Sequence, residues 1–198
     1  MTDLFLAKED IRKACIFDLD GVIVDTAKYH FVAWRNLANS LGFDFTEREN
    51  EKLKGVSRID SLNLILEWGG MNFSEKVKAN LAFSKNEDYL SYIKEMDESE
   101  ILPNVVGILE GIYKNPNYKI GLGSASKNAK LILDQVGLTK YFDFIVDGSM
   151  VTHGKPHPEG FLLAASEMKV LPENCIVFED APKGVEAALA ARMFTVGI

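Results

Sequence analysis

The sequence predicts an α/β fold: a doubly wound parallel-sheet core into which a small α-helical cap is inserted. Three observations carry that reading. After Pro103, short apolar runs alternate with helical stretches; a lone strand-like run, 14–18, stands near the start; and residues from about 27 to 97 hold no convincing strand.

The first strand climbs through ACIF to Asp18. From Ala27 to Leu41 the chain is helical, with Phe31, Trp34, Leu37, Ala38 and Leu41 at three- and four-residue steps, ending near Gly42. TERENEKL, 46–53, is a shorter helix stopped by Gly55. Residues 58–68 put Ile59, Leu62, Ile65 and Leu66 on one face, ahead of Gly69-Gly70. Residues 73–96 read as a long helix whose loose periodicity predicts a break. Then come helix 104–114, strand 118–124, helix 127–136, strand 141–147, helix 158–169, strand 175–180, helix 181–192 and the run 193–198. Short buried strands joined by helices form one parallel sheet, and strand 14–18 belongs to it. The expected organisation is a core of residues 1–24 and 102–198 with a helical cap of 25–101. MDESE, 96–100, reads as a solvated hinge, and 147–160 as a Gly/Pro/His-rich loop.

Composition narrows the partners. The 198 residues are 47% hydrophobic and 26% charged, as in a soluble globular protein. A net charge of −7 argues against a nucleic-acid or anionic-membrane surface. No apolar run reaches the ~18 residues of a membrane span, and the opening MTDLFLAKED lacks a secretion-signal layout. Cys15 and Cys175 lie in apolar runs without metal spacing, so buried free thiols in a reducing cytoplasm are expected. Nothing demands an oligomer, and a monomer is the expectation.

Sheets of this kind bind ligands outside the carboxyl ends of their strands. There the sequence places Asp18 and Asp20; Ser124, Ala125, Ser126, Lys127 and Asn128; Lys155; and Glu179 with Asp180. An isolated D-x-D before glycine can be an ordinary turn. Four segments converging on one edge are a site. Carboxylates gathered at one point repel unless a divalent cation lies among them, and all-oxygen ligation suits Mg²⁺. Ser-x-Ser-Lys at a helix start offers hydroxyls and N–H groups to an anion, and Lys155 adds a point charge. The set fits a phosphoryl group beside Mg²⁺. One carboxylate can then act as nucleophile, forming an acyl phosphate, and another as general acid and base.

FDLDGVIVDT, Ser124, Lys155 and the Glu179-Asp180 pair, in that order, resemble the four motifs of the haloacid dehalogenase superfamily of phosphotransferases. The resemblance implies its Rossmann-like core, with Asp18 as nucleophile, Asp20 as acid/base, and Ser124 and Lys155 completing the catalytic set. It implies Mg²⁺ held by Asp18, the Asp20 carbonyl and Asp180, with Glu179 beside or on it. TAKYHFVAW (26–34), LKGVSR (53–58), KNEDY (85–89) and SASKN (124–128) are similar to the β-phosphoglucomutase family within that superfamily. That likeness implies a sugar-phosphate substrate, Arg58 gripping the phosphate not being transferred with Ser126, Lys127 and Asn128, and Ala125 alongside. It further implies that His30 and Lys85 brace the cap and assist Asp20, while Trp34, Gly55, Val56, Ser57 and Ser61 shape the sugar pocket. A sugar-phosphate phosphatase would share every catalytic residue and remains the alternative. The family's core usually continues past Ile198 with another strand and helix.

Several residues have plainer readings. Asp25 and Thr26 read as caps of the first inserted helix. Ser126 can cap and bind phosphate at once. Trp34 can equally be cap core. His153 and His157 read as loop residues that bind no metal.

Overall fold

The computed structural model describes residues 13–198, so the segment read for a secretion signal lies outside the described residues. Strands β1 (Lys13–Phe17), β2 (Tyr118–Gly123), β3 (Phe144–Val146), β4 (Cys175–Glu179) and β5 (Phe194–Gly197) form one parallel sheet in the order β3-β2-β1-β4-β5. The chain builds outward from β1 to β3, then returns to lay β4 and β5 on the other flank. β1 therefore lies at the topological switch, where ligand sites form. It is buried on both faces, which is why ACIF is unbroken apolar sequence. Ala14 and Ile16 join the core under α7 (Glu159–Glu167) and α8 (Pro182–Ala190). Cys15 and Phe17 join the core under α5 (Val105–Tyr113) and α6 (Ala129–Gln135). Both thiols are free and buried, on opposite faces of the sheet.

Between β1 and β2 run α1 (Ala27–Ser40), α2 (Glu47–Glu51), α3 (Arg58–Trp68) and α4 (Glu75–Ile93). They bury an apolar cluster of their own around Trp34, Leu37, Phe45, Leu62, Ile65 and Leu66. The Thr46 N–H donates to Glu49 Oε2 at 2.8 Å, the reciprocal cap that lets so short a helix as α2 form. No helix among the described residues is long and apolar enough to cross a membrane.

Four local expectations are corrected. The break expected in 73–96 is absent, since α4 is continuous over Glu75–Ile93. Its buried stripe is Ala82, Lys85, Tyr89 and Ile93; a lysine in the stripe loosens the apolar pattern without interrupting the helix. Strand 141–147 shrinks to Phe144–Val146, because Thr139–Tyr141 form a 3₁₀ turn and the Asp143 side chain, not a carbonyl, takes the Ile120 N–H at 2.8 Å. MDESE is solvated only in its middle: Asp97, Glu98 and Ser99 are exposed, whereas Met96 is buried and the Glu100 carboxylate accepts from Lys28 and from the Tyr29 hydroxyl, each at 2.6 Å. The two connections to the helical segment also run side by side. Leu102 N donates to Ile23 O and Asp25 N to Glu100 O, both at 3.0 Å, and Val24 bridges Ile101. The fourth correction, at Asp25 and Thr26, belongs to the site.

Candidate active site

The site grows from the end of β1. Asp18 N–H donates to Phe178 O at 3.0 Å, which fixes the strand ends of β1 and β4 level and brings Asp18 beside Glu179 and Asp180. Ligand oxygens of these three carboxylates lie within 4.8 Å of one another. Lys155 arrives from the loop before α7, and its Nζ donates to Asp18 Oδ1 at 2.6 Å and to Glu179 Oε2 at 2.7 Å. Residues 137 and 24 positions away in sequence thus share one ammonium.

Two glycines make room. Gly21 adopts φ +86°, open to glycine at little cost, and a Cβ there would stand 2.4 Å from Asp180 Oδ2. Gly184, on α8, lies under the fully buried Glu179, whose Cδ would be 2.0 Å from a Cβ at that position. Gly184→Ala is therefore expected to destabilise the fold by about 1–3 kcal/mol and to displace the Glu179 carboxylate. Thermal unfolding read beside activity checks this; an unchanged midpoint with full activity would refute the packing account.

The three carboxylates meet the Lys155 ammonium, with Lys54 3.9 Å from Asp180, and an excess of negative charge shows at Glu179 and Asp180. Burial, then the charge of Asp18, raises Glu179 to about 7 despite Lys155. Asp180 is raised by the same two causes. Burial alone would depress Lys155; the charges of Asp18 and Glu179 outweigh it and hold the ammonium above its ordinary value. Such a pocket, all oxygen and undercompensated, fits a hard divalent cation.

Asp20 stands apart from this cluster. Burial and then the Asp18 charge lift it to about 7, opposed by a hydrogen bond from the Thr26 hydroxyl to Asp20 Oδ1. That bond corrects the capping assignment. Thr26 is fully buried at the N-cap of α1 but its side chain makes no cap hydrogen bond, and Asp25 is exposed. Thr26 holds Asp20 instead.

Above the sheet edge lies a cavity of about 460 Å³. Asp18, Asp20 and Asp180 line it, as do His30, Trp34, Gly55, Val56, Ser57, Arg58, Ser61, Lys85, Ala125, Ser126, Lys127 and Asn128. Ser124, Lys155 and Glu179 do not line it. Ser124 is buried with its Oγ accepting the Ser126 N–H at 3.0 Å, and Ser126 Oγ in turn accepts the Asn128 N–H at 3.2 Å. These bonds shape the turn into α6.

Helix α4 presents Lys85 as a buried cation 2.9 Å from His30 Nδ1 and over the rings of Trp34 (4.4 Å) and Tyr89 (4.7 Å). Burial and the nearby Arg58 push Lys85 down to about 7, while burial and Lys85 keep His30 well below its usual value and neutral. Neutral His30 can accept at Nδ1 what Lys85 donates. Residues the sequence reading passed over also line the cavity. Tyr89 stacks on His30 at 4.2 Å, and Asn86 Oδ1 accepts from Asn128 Nδ2 at 3.0 Å, joining α4 to the start of α6. Both fall inside KNEDY, and Lys54, 3.9 Å from Asp180, falls inside LKGVSR.

A family model described as a haloacid dehalogenase-like hydrolase matches residues 12–192. The chain belongs to the haloacid dehalogenase-like hydrolase family. Members similar to it differ in named activity. The β-phosphoglucomutase of Bacillus subtilis is 43% identical over 188 residues, 94% of this chain and 83% of that protein. The fructose-1-phosphate phosphatase YqaB of Escherichia coli is 36% identical over 92% of this chain and 94% of its own. Among solved structures, a β-phosphoglucomutase from Clostridium difficile superposes with a TM-score of 0.90 at 48% identity, over 94% of this chain and 84% of that one. This haloacid dehalogenase-like protein is thus a phosphotransferase or phosphatase by family, on a fold shared with a sugar-phosphate mutase.

Proposed function

We propose that this family member is a monomeric, cytoplasmic, Mg²⁺-dependent β-phosphoglucomutase. It would interconvert β-D-glucose 1-phosphate and glucose 6-phosphate through an aspartyl-phosphate enzyme and β-glucose 1,6-bisphosphate. One observation carries the reading: a single cavity is lined both by Asp18 and Asp20 and by Arg58 with Ser126, Lys127 and Asn128. Hydrolysis needs only the first set. A mutase must also keep hold of a bisphosphate and present its other end. The 43% and 48% identities to named β-phosphoglucomutases support the same choice.

Asp18, Asp180 and the Asp20 carbonyl, with Glu179 beside them, are the groups proposed to hold Mg²⁺. When bound it supplies charge neutralisation for the carboxylates and the phosphoryl oxygens. Asp18 attacks phosphorus; the P–O bond to the sugar breaks as the acyl phosphate forms. The departing sugar oxygen takes the proton of Asp20, which near neutral pH is poised to carry one. In the other half-reaction the free hydroxyl of a bound glucose 1-phosphate takes the phosphoryl group from Asp18 while Asp20 receives its proton, and the bisphosphate so formed turns to present its other phosphate to Asp18. Lys155 keeps Asp18 oriented throughout by its bond at 2.6 Å. Helices α1–α4, acting as a cap over residues 25–101, exclude the water that would otherwise discharge the acyl phosphate.

The phosphatase alternative draws on the 36% identity to a fructose-1-phosphate phosphatase. Incubation with Mg²⁺, β-glucose 1-phosphate and a trace of bisphosphate, with glucose 6-phosphate and inorganic phosphate measured in parallel, separates the two. Arg58→Ala is expected to lower isomerisation about a hundredfold, the cost of removing one side of a charge-assisted contact, while phosphate release persists. Equal loss of both, or of neither, would overturn the assignment of Arg58.

A further inference from the structure

We propose that His153, His157 and Glu159 form a second metal site, for a borderline divalent transition ion such as Zn²⁺, distinct from the carboxylates of Asp18, Glu179 and Asp180. This reverses the reading of the two histidines as plain loop residues and does not depend on which sugar phosphate the enzyme takes. One ligand atom from each of the three residues lies within 4.8 Å of the other two. Two of the three separations are defined at Glu159 Oε2: 3.0 Å to His153 Nδ1 and 3.8 Å to His157 Nδ1. An ion with ligand lengths of ~2.1 Å and tetrahedral angles holds its donors about 3.4 Å apart, between those two values. Small side-chain adjustments close the set.

The donor chemistry points the same way. Two imidazoles and one carboxylate suit Zn²⁺, Co²⁺ or Ni²⁺ and do not suit Mg²⁺, which prefers oxygen alone. The Glu159 N–H donates to His157 Nδ1 at 3.3 Å, a bond that an ion at that nitrogen would replace. His153 Nδ1 faces the carboxylate at 3.0 Å, and an ion would replace the proton shared there. Glu159 is held for the purpose: its oxygens accept the backbone N–H groups of Thr152 at 2.8 Å and His153 at 2.9 Å. The two rings lie 4.7 Å apart and tilted. Both histidines are more than half exposed and line a wide groove facing Asp60 and Glu67 of α3, so an ion can enter and water can complete its shell.

The site has a place in the architecture. Lys155 lies between its two histidines in sequence, and a Cβ on Gly154 would stand 3.7 Å from Ser57 Cβ at the start of α3. An ion there ties both flanks of the Lys155 segment to the first turn of α7.

The test uses the full chain without a polyhistidine tag, titrated with Co²⁺ in excess Mg²⁺ and followed by visible absorption. The parent is expected to bind one Co²⁺ with a band of an N,O-ligated ion. The double variant His153→Gln/His157→Gln is expected to bind it more weakly by about tenfold or more, with unchanged unfolding midpoint and unchanged Mg²⁺-supported turnover. Asp180→Asn, which alters the other cluster, is expected to leave the band in place. Binding as tight in the double variant as in the parent, or a band that disappears with Asp180→Asn alone, would overturn the site.

Discussion

Asp18→Asn is expected to reduce turnover of every phosphate ester by about 10⁴–10⁶-fold, the scale of losing a covalent nucleophile, without unfolding the protein. An amide cannot form the acyl phosphate, and no neighbour can stand in: Glu179 is fully buried behind Lys155, and Asp20 is bonded to Thr26. Stability is expected to hold or rise. Lys155 keeps its bond of 2.7 Å to Glu179, and the charge of Asp18 is one of the causes that lift Asp20, Glu179 and Asp180 above their ordinary values. Removing it relieves repulsion among buried carboxylates. Acid quenching after exposure to radiolabelled β-glucose 1,6-bisphosphate reads the step directly. The parent protein should carry label and the variant none; label on the variant would place the covalent step elsewhere.

Asp20→Asn is expected to cost about 10²–10⁴-fold on sugar phosphates, and far less on acetyl phosphate, whose leaving group needs no proton. The contrast isolates proton transfer from binding. The pH dependence follows from burial. Asp20 titrates at about 7 instead of 3.8, so the acid form that the proposed mechanism needs is present below that pH and is lost as pH rises through it. The limb of the kcat profile for phosphoryl uptake should therefore fall above neutrality in the parent and flatten in the variant. A variant that keeps the limb would assign it to another group, with Lys85, also at about 7 but on burial of an ammonium, the next to examine.

The fold class could be read from the chain because each core strand is a short apolar run with a turn after it, and the run in β1 is uninterrupted by the need for a polar face. The residues picked out at strand ends lie together for the same reason: a parallel sheet brings every carboxyl end to one edge, whatever the separation in sequence. What could not be read depends on partners distant in the chain. Lys85 loosened the pattern of α4 because a buried lysine is tolerable beside His30, Trp34 and Tyr89, and of these the sequence places only Tyr89, one turn on in the same helix, against it. Thr26 sits where a helix cap belongs, and only the position of Asp20 turns its hydroxyl elsewhere. Asp143 reads as one more residue of a strand, although its side chain has taken over a ladder bond. The pairing of His153 with Glu159 depends on how one loop turns back on α7, for which the spacing H-x₃-H-x-E was a signal left unused.

The adjacency of the two crossings, Val24 against Ile101 with Ile23 and Leu102 bonded beside them, has an evolutionary consequence. A segment that departs and re-enters at neighbouring points can be lengthened, shortened or exchanged without rerouting any strand. Under the proposed function, replacements of α1–α4 would change the half of the cavity built from His30, Trp34, Arg58 and Lys85 while the strand ends that carry Asp18 and Asp180 stay where they are.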